Sequence, residues 1–182
     1  TFLFSIEPKD FQYDHISLII HEELINDFFS NIGEIKGSGE AAYIDYSWYL
    51  LNPRVEIEND DAFFFAEVRA ITNNFRITRD VKGKVIVTYD EESNIIEVKI
   101  DKANVILDVD VFGKNFVLTE IDIGGYFKKT LKLNGPSSLN NEINYQLPNG
   151  ESKIMIVNKA YNLKLVKDAI KLSTTLQFEL KE

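Results

Sequence analysis

The sequence predicts an α+β domain, mainly β, in which one N-terminal helix helps cover an antiparallel meander sheet. Two observations carry this. A single apolar stripe on a 3.6-residue period lies between His21 and Ile32, and almost everything after it alternates apolar and polar residues. Turn signals then recur about every 10 to 20 residues with no second long helical period, which favours a meander over strand–helix–strand units. One domain spanning residues 1–182 is expected, with no repeat, low-complexity tract or linker.

The helix rests on Leu24, Ile25, Phe28, Phe29 and Ile32, whose spacings of one, three and four place them along one side of a helix. Glu22 and Glu23 fall in its first turn, where the positive end of the helix dipole favours carboxylates, and Gly33 supplies a left-handed stop. His15 to Ile20, ahead of the helix, is β-like. After it, Gly37-Ser38-Gly39 reads as a flexible joint between helix and sheet.

The strands follow in order. An aromatic-rich stretch from Ala41 ends in Asn52-Pro53-Arg54-Val55-Glu56-Ile57-Glu58, and Asn59-Asp60-Asp61 turns the chain. Phe64, Ala66, Val68 and Ala70 share one face, as do Val81, Val85, Val87 and Tyr89 in the next strand. The acidic turn Asp90 to Asn94 leads to Ile96, Val98 and Ile100. The parity then switches to Val105, Leu107, Val109 and Val111, which predicts a bulge, and a bend, near Lys102 to Asn104. Hairpins are expected at Gly113-Lys114-Asn115, at Pro148-Asn149-Gly150 and at Lys167-Asp168. One wet and one covered sheet face result, with the helix as part of the cover.

Composition excludes several classes of function. No run approaches 18 apolar residues, so no transmembrane segment is expected, and Thr1 to Ile20 lacks the basic start of a signal peptide. The chain begins at Thr1 rather than Met, which leaves a removed leader or anchor open. A net charge of −9 repels phosphate backbones, so no nucleic acid partner is expected. The absence of cysteine rules out disulfides, thiol nucleophiles and cysteine metal sites. The compartment stays open, with a periplasmic or exported setting favoured over the cytoplasm.

Catalytic signatures are missing too. The two histidines, His15 and His21, lie six residues apart, a spacing that fits no common zinc site, and His21 sits at the expected helix cap. There is no nucleophile elbow, Walker loop or dinucleotide fingerprint. Asp90, Glu91, Glu92 and Asn94 lack the glycine and terminal glutamate of a calcium loop. Asp108 and Asp110 are expected to come near Glu120 and Asp122 across a hairpin, as a solvated face or, less simply, a weak cation site. The expectation is a protein that is not an enzyme and carries no cofactor and no metal.

The order of strand, short helix, Trp-containing strand and Asn-Pro-Arg-Val before long alternating strands resembles the tubular lipid-binding superfamily, including bactericidal/permeability-increasing protein-like domains and related bacterial proteins. The resemblance is carried by His21 to Ile32, Trp48 to Ile57, the Val81-Lys82-Gly83-Lys84-Val85 strand start and Phe112-Gly113-Lys114, and loosely covers residues 16–180. It implies a strongly curved sheet wrapped around the helix, an elongated apolar cleft between them, and binding or transfer of lipid. The chain departs from many animal members in lacking a cysteine pair, and from lipopolysaccharide binders in being acidic.

Thirteen Phe and eight Tyr add weight to an apolar site, and Phe63-Phe64-Phe65 makes both faces of its strand partly apolar. Under the resemblance, Phe64, Ala66, Val85, Val87, Val98 and Leu107 line a ligand cleft roofed by Leu24, Phe28 and Phe29. A bulky Ala66→Trp or a charge at Phe28 is then expected to abolish binding before folding. The expected partner is a lipid or other hydrophobic small molecule. The alternative is an interaction module with a filled core, which recruits a second copy or a partner protein through its strand edges.

Overall fold

The computed structural model describes residues 14–41, 43–73, 75–111, 114–127, 130–137, 142–148 and 150–180. Its elements are β1 (Ile16–His21), α1 (Glu22–Asn31), β2 (Ile35–Ala41), β3 (Ile44–Ile57), β4 (Ala62–Ile71), β5 (Arg76–Asp90), β6 (Ile95–Asp101), β7 (Asn104–Val111), β8 (Lys114–Asp122), a 3-10 helix (Gly124–Phe127), β9 (Leu131–Asn134), β10 (Glu142–Leu147), β11 (Gly150–Val166) and β12 (Ala169–Leu180). The protein is mainly β with one α-helix among the described residues. The chain divides into two compact units: Ile19–Gly135 with Leu163–Lys171, and the described parts of Thr1–Leu18, Pro136–Asn162 and Leu172–Glu182.

The larger unit holds a strongly curled six-stranded antiparallel sheet, a half-barrel of order β2-β3-β4-β5-β6-β9. The alternating pattern decides what faces inward. Phe64, Ala66, Val68 and Ala70 are all buried, as are Val81, Val85, Ile96, Val98 and Ile100, while Val87 and Tyr89 are half-buried. A bulge at Asn52-Pro53 bends β3 opposite Ala66, where Asn52 takes a φ of 51° and Pro53 has no N–H to pair.

Among the described residues, that bend leaves the second half of β3 without a β-strand neighbour on one side, because β2 pairs only with Ile44 to Leu50. The helix takes over there. Asn26 accepts the Val55 N–H at 2.7 Å and donates to the Val55 carbonyl at 3.0 Å, and Glu22 accepts the Ile57 N–H at 2.8 Å. Helix positions four apart advance about 6 Å and strand positions two apart about 6.8 Å, so one helix face can serve alternate strand residues. The β11–β12 turn completes the edge: the Asp168 N–H donates to the Ile57 carbonyl at 2.9 Å, and the Glu22 N–H donates to the Asp168 carbonyl at 3.0 Å. Glu22 thus serves as a strand partner as well as a first-turn carboxylate. His21 is the N-cap without a side-chain capping bond, and Gly33 stops the helix at a φ of 89°.

Two expectations are corrected. Gly37-Ser38-Gly39 is not a joint but the middle of strand β2, with Gly37 opposite Trp48 and Gly39 opposite Tyr46. A Cβ at either glycine would stand 2.7 Å or less from the facing aromatic ring, so the glycines make room for large side chains lying across them. The parity switch at Lys102 to Asn104 is a break between strands rather than a bulge within one. Lys102 adopts a φ of 52°, Ala103 packs against Gly83, and β7 leaves to pair with β8 in a separate two-stranded sheet. Arg79 of β5 ties β7 back, donating to the Asp108 carboxylate at 2.6 Å and to its carbonyl at 3.0 Å.

The smaller unit is built from β10 and from the parts of β1, β11 and β12 outside Ile19–Gly135 and Leu163–Lys171, strands whose order is β1-β12-β11-β10. His15 is structural in it: its N–H donates to the Thr174 carbonyl at 3.0 Å and its Nδ1 accepts the Leu176 N–H at 2.8 Å. Leu147 pairs with Gly150 and Lys167-Asp168 turns β11 into β12 as expected, whereas Val111 pairs with Lys114 and Asp110 with Asn115, so Lys114 and Asn115 belong to β8 rather than to a turn. Asn149 and Phe112-Gly113 lie outside the described residues, as do the side chains of Val109, Asp110, Val111 and Lys114.

Candidate functional site

The nine side chains expected to line a cleft separate into two environments. Phe29, Phe64, Ala66, Val85, Val98 and Leu107 are buried, Val87 is half-buried, and Leu24 and Phe28 are 55% and 37% exposed. The reason lies in the helix. Its greasy side is two stripes: Ile25 and Phe29 turn into the unit, while Leu24, Phe28 and Ile32, again at four-residue spacing, face outward. Phe127 of the 3-10 helix, half-buried, packs against both the helix and the sheet. Its ring lies edge-on 5.5 Å from Phe29 and 5.4 Å from Phe64, and Phe29 lies tilted 5.7 Å from Phe64, a cluster of three rings in mutual contact. Ala66 is 3% exposed, so a tryptophan there meets packed side chains.

Beside this cluster opens a groove of about 860 Å³. It is lined by Phe28 of α1, Tyr46 and Trp48 of β3, and Tyr126 and Phe127 of the 3-10 helix. Trp48, the single tryptophan, is 2% exposed and takes Tyr126 edge-to-face with centroids 4.9 Å apart at 78°. Ser38, Glu120, Ile121, Asp122 and Gly125 complete the lining. Asp122 accepts the Gly125 N–H at 2.9 Å, which fixes the start of the 3-10 helix and so the direction of Tyr126. Glu120 accepts from the Asn104 side chain at 2.7 Å.

Of the nine expected residues, only Phe28 lines this groove. Its other aromatic walls were legible only in part. Trp48 and Tyr46 lie opposite glycines that read in sequence as a joint, and Tyr126 and Phe127 follow Gly124-Gly125, which reads as no more than the end of a strand.

A second hollow, of about 550 Å³, is lined by Glu22, Glu56, Ile57, Asn59, Lys167 and Asp168 among others. Its polar groups already serve the fold: Glu56 pairs with Arg54 at 3.0 Å, and Asn59 accepts the Lys167 N–H at 3.1 Å. The acidic groups singled out for a cation are also engaged, Asp108 with Arg79 and Asp90 with Ser93. Among the described residues, no group of three or more His, Asp or Glu is arranged to hold a metal ion, and no helix is long and apolar enough to cross a membrane.

On the outer sheet face, Phe63 and Phe65 are not bare. The Lys82 ammonium lies 4.3 Å and 5.4 Å from their ring centroids, and the Arg54 guanidinium 5.2 Å from Phe65.

The sequence matches no family model, and no curated protein or solved structure matches the chain.

Proposed function

We propose that the protein is a non-enzymatic binder of a lipid or another elongated hydrophobic ligand, held in the groove between Phe28, Trp48, Tyr126 and Phe127. The observation that carries this is an open groove of about 860 Å³ walled by aromatic rings, a size typical of small-molecule sites. The exposed stripe of Leu24, Phe28 and Ile32 extends the apolar surface outward from its wall. A curled sheet with a helix against it supports the same reading, being the architecture that a likeness to the tubular lipid-binding superfamily implies. Burial supplies about 0.8 kcal/mol per CH₂ group, so binding needs little directional bonding.

The test is native mass spectrometry with organic extraction, followed by titration of the delipidated protein with monolaurin while Trp48 emission is recorded. Co-purifying lipid and a saturable emission change that Phe28→Asp removes are expected. A clean apo mass with no emission change sinks the reading.

A second reading is an interaction module, and one observation favours it. Strand β10 is an open edge of its sheet, exposed along its length, with Ile143, Tyr145 and Leu147 alternating against Glu142, Asn144 and Gln146. It carries neither proline nor lysine to discourage another strand. Concentration-dependent association abolished by Tyr145→Lys would favour this reading.

A further inference from the structure

We propose that β10 pairs with β10 of a second copy of the chain, antiparallel about a two-fold axis through Tyr145; this rests on the interaction reading of that edge and is independent of the groove. The hairpin decides which backbone groups face outward. Leu147 pairs with Gly150 with only two residues between them, and a pair so close to its turn exchanges both N–H···O=C bonds. Bonded and non-bonded pairs alternate along an antiparallel ladder. Ile143, Tyr145 and Leu147 therefore spend their backbone groups on β11, whereas Asn144 and Gln146 aim theirs away from it. Among the described residues, no strand lies on that side. A row of donors and acceptors at strand spacing is matched by another strand.

Symmetry and charge name that strand. A two-fold axis perpendicular to the sheet sets two copies of β10 antiparallel with like faces on the same side, so odd positions meet odd ones and even meet even. Centred on Tyr145, this pairing puts Asn144 opposite Gln146 of the second copy, where the outward backbone groups exchange bonds. Ile143 falls opposite Leu147 of the second copy, and the two Tyr145 side chains face each other in the closer, non-bonded kind of pair. All three apolar residues are exposed in the single chain, Tyr145 by 59%. No side chain from Ile143 to Leu147 is charged. Glu142 falls opposite Pro148 of the second copy, which sets the two carboxylates about 20 Å apart, beyond the screening length. On a chain of net charge −9, this is a strip where two copies meet without repulsion. The edges of the six-stranded sheet differ, since β2 carries Lys36 and Glu40 and β9 carries Lys132.

The first measurement is sedimentation equilibrium of the full chain from about 5 to 500 µM. A contact this short lies below the roughly 1,200 Å² of stable interfaces, so a dimer with a dissociation constant of about 10–200 µM is expected. Tyr145→Lys sets two ammonium groups on the axis and should weaken the dimer at least about tenfold, while the melting temperature stays within about 2 °C because β10 is exposed. Tyr145→Phe should keep it. The chain has no cysteine, so Tyr145→Cys places a lone thiol on the axis. Its Cα atoms, about 4.5 Å apart across the pair, suit a disulfide, and mild oxidation should give a covalent dimer. Asn144→Cys, with Cα atoms roughly 9 Å apart, should not cross-link. Cross-linking of Asn144→Cys in preference to Tyr145→Cys, or a dimer that Tyr145→Lys leaves intact, overturns this pairing and leaves association by another register or surface standing. A chain that stays monomeric throughout, with neither disulfide, overturns the second copy. If that monomer takes up a fluorescent peptide of alternating Thr and Val, and Tyr145→Lys does not, the edge still recruits a foreign strand. If neither takes it up, the interaction reading falls as well.

Discussion

Asn26 is the side chain whose loss the fold should feel most for its size. Both its polar ends are spent on Val55, a residue with no exposed surface whose N–H and C=O point to the side of β3 that has no strand neighbour. In Asn26→Ala neither group finds a replacement within the protein. Each half-buried orphan costs about 1–1.5 kcal/mol, for about 2–3 kcal/mol in total. For a chain of this size that corresponds to a melting shift of roughly 4–12 °C. Chemical and thermal unfolding followed through Trp48, which lies in the same unit, gives the number directly. Asp27→Ala, one position along on the exposed face, is the control and should stay within about 0.5 kcal/mol. If Asn26→Ala costs no more than Asp27→Ala, the helix is held by its apolar face alone, and the account of the β3 edge is wrong.

Three further outcomes follow from the packing. Gly37→Ala sets a Cβ 2.7 Å from the Trp48 indole and should cost about 1–3 kcal/mol while shifting Trp48 emission; a silent substitution would show that the ring has room to move. Lys82→Ala uncovers Phe63 and Phe65, so an apolar dye should bind more strongly while stability falls by less than about 1 kcal/mol. The Asp90 carboxyl is held below the usual carboxylate range, first by the Ser93 hydroxyl at 2.6 Å and then by the Ser93 N–H. Because its folded value is the lower one, its contribution to stability is complete above the usual carboxylate range and disappears as pH falls through the lowered value. Ser93→Ala should raise the Asp90 titration midpoint seen by carboxyl-carbon NMR, and an unmoved midpoint would refute the cause.

Period-two alternation made the inner face of the half-barrel legible, because every second residue from Phe64 to Ala70 and from Ile96 to Ile100 is buried. Turn chemistry located the chain reversals at Asp60, Asn94 and Asp168, each of which takes a positive φ. What the pattern could not carry was non-local. Whether two glycines make a joint or a strand depends on the rings across from them, and Trp48 and Tyr46 decide that through pairing. Asn26 gives no local sign of its role, since an amide in a helix looks like a solvated surface residue until a strand end without a partner is brought beside it. The groove was missed for the same reason. Phe127 lies nearly a hundred residues from Phe29 and 63 from Phe64, and only their meeting makes the three-ring cluster beside which the groove opens.

That arrangement separates stability from binding at a single peptide bond. Phe28 and Phe29 are neighbours in sequence, but successive helix positions point about 100° apart. Phe29 closes the three-ring cluster, and its truncation to alanine should cost about 3–5 kcal/mol. Phe28, 37% exposed, reaches Phe29 edge-on at 5.4 Å and otherwise borders the groove, so Phe28→Ala should cost about 1 kcal/mol or less in folding. Its effect should fall instead on the Trp48 response to an amphiphile. A cleft in the centre of the unit would make the two truncations alike, with binding and folding lost together. A groove on the flank makes them opposite: Phe29→Ala should lower the unfolding midpoint, and Phe28→Ala should leave that midpoint nearly in place while weakening the amphiphile.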